Sequence, residues 1–95
     1  MDHGQMPEGL THARTTNEFD ATTVPAGLLR AHTVAANVWG RVQVRAGSLR
    51  FVWEGGQDEG SAVDMAAGDS LVIPPLTHHR VEPGEDARFV VEFYR

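Results

Sequence analysis

Turn-forming residues interrupt the chain at short intervals from Leu10 onward. They are Pro25-Ala26-Gly27, Ala46-Gly47-Ser48, the polar stretch from Gly55 to Gly60, Gly68-Asp69, Pro74-Pro75 and Pro83-Gly84-Glu85-Asp86. The segments between them are mostly about five to ten residues long and rich in valine, phenylalanine and threonine, too short for several long helices. An all-β fold follows. Alternation supports it: Val42 and Val44 take turns with Arg41, Gln43 and Arg45, as side chains must when they point to opposite faces of a sheet. Beyond Ala46-Gly47-Ser48, Leu49, Phe51 and Trp53 alternate with Arg50, Val52 and Glu54, which predicts a hairpin of two long strands. The last strand repeats the scheme, with Phe89, Val91 and Phe93 set against Arg88, Glu92 and Tyr94. Roughly seven short antiparallel strands in a small chain must hide their edges in a sandwich or a barrel.

At 95 residues the chain holds one module, assigned to residues 10–95. Residues 1–9 carry two glycines, a proline and few apolar groups, and are expected to form a flexible arm. No apolar run approaches the roughly 18 to 20 residues that cross a bilayer, and the start Met1-Asp2-His3-Gly4-Gln5 is too polar for a signal peptide, so a cytoplasmic, membrane-free protein is expected. There is no cysteine, which excludes disulfides, thiolate metal sites and cysteine nucleophiles and leaves histidine and carboxylate as the strong ligands. All eight cations are arginine, scattered through a chain of net charge −5. That pattern argues against nucleic acid as a partner and leaves small molecules and other proteins. The tripeptide Met1-Asp2-His3 offers four nitrogens to a square-planar Cu(II) or Ni(II), or is an accident of sequence.

Of the five histidines, the adjacent pair is the informative one. In Thr77-His78-His79-Arg80-Val81-Glu82, period two sets Thr77, His79 and Val81 on one face and His78, Arg80 and Glu82 on the other. Val81 marks the inner face. His79 is therefore expected to point inward, where an imidazole needs a hydrogen-bond partner or a metal, and His78 to lie in water. Arg80 and Glu82 are expected to form a surface ion pair, and Trp39, Trp53 and Tyr94 to serve packing.

The segment Gly68-Asp69-Ser70-Leu71-Val72-Ile73-Pro74-Pro75-Leu76-Thr77-His78-His79 resembles the second motif of the cupins, with Leu76 standing where a glycine is usual. The resemblance implies a cupin-type double-stranded β-helix, a small jelly-roll barrel, in which the histidine at position 79 is a metal ligand. The first cupin motif is degenerate: counting back from Gly47 finds Gly40 where its glutamate would stand, and His32 is the nearby histidine. From Leu10 to Arg95 the order Val24-Pro25, Leu28-Leu29-Arg30, His32-Thr33, Trp39-Gly40, Gly47-Ser48-Leu49, His79-Arg80-Val81-Glu82-Pro83 and Glu92-Phe93-Tyr94 is similar to the TehB/YeaR-like family of small cupins. That family implies metal binding and an association with tellurite or nitrosative stress. The resemblance covers only the cupin part of that family's longer members, so it implies nothing about methyl transfer.

The expected metal site takes His79 with His32 and Glu92 around one divalent ion, zinc, iron or nickel, whose open positions meet a small anion or oxidant. The alternatives are a hydrogen-bonded barrel histidine at 79, a surface or packing residue at 32 and a solvent-facing carboxylate at 92. No catalytic residue is assigned. The rival function is a metal-free module that binds a small molecule, or one that pairs as a homodimer.

Overall fold

The computed structural model describes residues 2–29 and 34–95. Its strands are β1 (Asp2–His3), β2 (His12–Thr15), β3 (Phe19–Asp20), β4 (Trp39–Ala46), β5 (Ser48–Trp53), β6 (Ala62–Ala66), β7 (Ser70–Ile73), β8 (His79–Pro83) and β9 (Arg88–Tyr94). A single 3-10 turn, Ala26–Leu29, is the helical element among the described residues. The fold is all-β, as the turn spacing requires. No helix among the described residues is long and apolar enough to cross a membrane.

Two sheets divide the strands. The larger runs β1-β7-β4-β9-β2, with β3 also on β9, and the smaller runs β6-β5-β8. Phe51 from the small sheet and Phe89 from the large one are both fully buried, within a core that also holds Val42, Val44, Leu49, Met65, Leu71 and Val81. Val42, Val44, Leu49, Phe51, Val81 and Phe89 among them are residues that alternation assigns inward, so the period-two pattern decides which face of these strands turns to the other sheet.

The expected hairpin of β4 and β5 is not formed. β4 pairs with β7 and β9, and β5 pairs with β6 and β8, so the two strands lie in different sheets. Gly47 alone separates them, and one residue is fewer than the two that a tight hairpin loop needs. Instead Gly47, at φ 67°, turns the chain from one sheet into the other. The corner is tight: a Cβ there would meet the Asp86 carbonyl carbon and oxygen at 2.5 Å.

The segment expected as a flexible arm begins with a pairing. Asp2 and His3 run parallel to Ser70 and Leu71 of β7, and the Ser70 hydroxyl donates to Asp2 Oδ1 at 2.6 Å. At the other end of the large sheet, Asp20 fixes the path from β3 to the 3-10 turn. Its Oδ1 accepts from the amide and hydroxyl of Thr22, at 2.8 and 2.7 Å, and from those of Thr23, at 2.9 and 3.1 Å. Stabilised by these donors, first by the Thr22 hydroxyl, the carboxyl is lowered from 3.8 to about 2. This clamp sets where the following turn delivers Leu28.

Candidate functional site

Between the sheets lies a cavity of about 210 Å³. Phe51, His79 and Val81 come to it from the small sheet, Val42, Ile73, Phe89, Val91 and Phe93 from the large one, and Leu28 from the 3-10 turn. Arg14 and Thr16, from β2 and the residues just after it, complete one side. Thr16 is held against β9 by its amide, which donates to the Val91 carbonyl at 2.9 Å, and by its Oγ1, which accepts from the Val91 amide at 3.0 Å.

His79 is the first residue of β8 and is 2% exposed. Opposite it on β5 stands Trp53, and its ring stacks on Phe51 at 5.1 Å between centroids and 16° between planes. Nδ1 lies 3.1 Å from the Thr77 carbonyl oxygen. A carbonyl only accepts, so Nδ1 carries a proton and donates it to Thr77, which leaves Nε2 as the nitrogen turned away from that bond. His78 is exposed and Val81 buried, as alternation requires.

The expected companions of His79 fare differently. His32 lies outside the described residues. Glu92 sits on the opposite face of the large sheet: the cavity takes Phe89, Val91 and Phe93 from β9, while Glu92 pairs across with Arg41 and accepts from Gln43 Nε2 at 2.7 Å and the Tyr94 hydroxyl at 3.3 Å. The structure thus does not bring Glu92 to His79. The register from Trp39↔Tyr94 to Val44↔Phe89 runs without a break, so no bulge turns Glu92 inward. Burial, and after it the Glu92 charge, hold the Tyr94 phenol above its ordinary value. Among the described residues no three histidine or acidic side chains converge as a metal would require.

Other residues fall where packing predicts. Arg80 bonds Glu82 at 2.9 Å and reaches Glu54 at 3.2 Å on the outer face of the small sheet. Trp53 is edge-on to Phe51 at 4.7 Å, and both tryptophans are half-buried. Of the Met1-Asp2-His3 tripeptide, Met1 lies outside the described residues and the other two are paired with β7.

Arg14 is the cavity residue that sequence reasoning passed over. It lies over the Phe93 ring at 5.2 Å, a cation–π contact set by the irregular register of β2 on β9 between His12 and Arg14. Nothing local in His12-Ala13-Arg14-Thr15 signals it, because the partner stands far along the chain.

A family model described as the TehB-like domain matches residues 14–91. The uncharacterized protein YeaR of Escherichia coli K12 is 29% identical over 99 residues, covering 95% of this chain and 82% of its own, and YeaR of E. coli O157:H7 matches equally. A structural-genomics crystal structure of an E. coli K12 protein has the same fold, with a TM-score of 0.85 at 24% identity over 96% of this chain and 95% of that one. The crystal structure of TehB from Haemophilus influenzae gives 0.83 at 20% identity, covering 94% of this chain and 32% of that protein. With its strands in that fold and most of its length matched by the family model, the chain belongs to the TehB-like domain family.

Proposed function

We propose that this chain is a cupin-type jelly roll that holds one small molecule in the cavity between its sheets, beside His79. The observation that carries this is a cavity of about 210 Å³ walled by hydrocarbon, in which His79 is the one buried titratable side chain among the described residues. Such a wall favours an apolar body, and a buried polar group fixes how the body sits. The passage of the chain between two facing sheets at Gly47 supports the jelly-roll assignment. The tie to tellurite or nitrosative stress rests on family membership alone.

A small apolar probe tests the cavity. Toluene added to protein with labelled methyl groups is expected to shift the Val42, Ile73, Val81 and Val91 signals, and Val81→Phe, which fills the space, is expected to abolish the effect. Unmoved methyl signals in the wild-type protein reject the proposal.

One observation favours a second reading. The Nδ1 proton of His79 is committed to a backbone carbonyl, the arrangement that orients metal-ligating imidazoles through Nε2. A metal would then need His32 as its second ligand, with Glu92 excluded by its face. Elemental analysis of untagged protein decides this: substoichiometric metal, no uptake on dialysis and a Tm of His79→Ala that responds to zinc or nickel as wild type does reject the metal.

A further inference from the structure

Among the described residues that wall the cavity Arg14 is the charged one, and its surroundings say what kind of molecule the cavity would take. Arg50, Arg80 and Arg88 each sit on a carboxylate, at 2.8, 2.9 and 3.3 Å. Arg14, like Arg41, has an aromatic face as its contact among the described residues, here that of Phe93, and no aspartate or glutamate is among the described residues that wall the cavity. In a chain of net charge −5, a cation left without an acid at the edge of a cavity is a place for a ligand anion. Arg95 adds to it, since Arg14 and Arg95 together border the adjoining depression along with Ala13, Val38 and Phe93. Beyond Arg14 the described wall is hydrocarbon apart from Thr16 and His79, a poor place for a hydrated inorganic anion to shed its water. An engineered apolar cavity of about 150 Å³ holds benzene. The space here is larger and would take a ring with a short substituent.

Resting on the ligand-binding proposal above, we propose that the ligand is a small organic monocarboxylate, its apolar body in the cavity and its carboxylate on Arg14. Charge-assisted pairing with a guanidinium distinguishes it from a neutral molecule of the same shape.

Benzoate, benzyl alcohol and toluene are the probes, titrated against the full chain and followed by the methyl signals of Val42, Val81 and Val91. Wild-type protein is expected to bind benzoate about tenfold more tightly than benzyl alcohol, a difference of about 1.4 kcal/mol. Arg14→Gln is expected to remove that preference while leaving toluene unchanged, and Arg14→Lys to restore part of it. Toluene and benzyl alcohol binding as well as benzoate overturns the carboxylate proposal and leaves the cavity proposal standing. A benzoate preference that survives Arg14→Gln also overturns it. Failure of all three probes to move the methyl signals overturns both.

Discussion

Toward its C-terminal end β9 carries opposite chemistry on its two faces, while Val90 keeps the outer face apolar and buried further back. Inward, Phe89, Val91 and Phe93 wall a cavity that also receives His79. Outward, Glu92 meets Gln43, Tyr94 and the Arg41 position in a half-buried polar network. A carboxylate one residue away from the cavity wall is thereby kept out of it, because a shift of one residue in register exchanges the faces and the β4–β9 ladder is unbroken around Glu92, its irregularity lying between Val44 and Ala46. Ligands for His79 must come from the inner face or from the chain that borders it. The comparison separates a role in the hydrocarbon interior from a role in the outer network, and substitutions on each side should behave differently.

Phe51→Ala tests the inner side with the largest expected effect. Its ring is fully buried and packs on both His79 and Trp53, so removing it should cost about 3–5 kcal/mol by urea unfolding and perturb the His79 ring. A loss below about 1 kcal/mol would mean the interior is not packed as described. Gly47→Ala strikes the corner that holds the two sheets across the cavity. With a Cβ at 2.5 Å from the Asp86 carbonyl and φ at 67°, a loss of roughly 2–4 kcal/mol is expected from overpacking and backbone strain together. A hairpin at this position would instead accept alanine at less cost.

Acid should loosen the β3 end of the inner wall. The Asp20 carboxyl lies at about 2 in the folded chain against an ordinary 3.8, so the unfolded state binds the proton first as pH falls. The stabilisation from Asp20 is complete above about pH 4 and is lost progressively toward pH 2. Asp20→Asn should flatten that part of the pH–stability curve, and an unchanged curve would remove the clamp from the account. On the outer face, Glu92→Gln retains an oxygen for Gln43 and Tyr94 to donate to. It is expected to change stability by less than about 1 kcal/mol and to leave toluene binding untouched. Altered binding there would break the separation of faces.

Much of this arrangement is written in the sequence as period two. Val42, Val44, Leu49, Phe51, Phe89, Val91 and the inward His79 are all legible, because a strand gives each residue one of two directions and a neighbouring valine or phenylalanine names the dry one. The same rule places Glu92 outside; its expected place among the ligands came from wanting a third donor. What local pattern does not carry is partnership. The sheet change at Gly47 depends on which strands pair, and Arg14 meets the cavity through a distant Phe93. Leu76 is intermediate: it stands where cupins usually have glycine, and its backbone takes the left-handed φ of 59° that glycine suits. It is 62% exposed, so Leu76→Gly loses little packing. Relief of strain, partly offset by the greater freedom of an unfolded glycine, should raise stability by under about 1 kcal/mol in thermal melts, the smallest effect of the set.

Everything rests on an open, apolar space beside a buried imidazole. Diffraction from crystals pressurised with xenon locates such a space directly, since xenon enters dry cavities of this size. A xenon peak enclosed by Phe51, Val81, Phe89 and Val91, within contact of the His79 ring, is expected. Side chains filling that volume, or His79 turned to solvent, would contradict it.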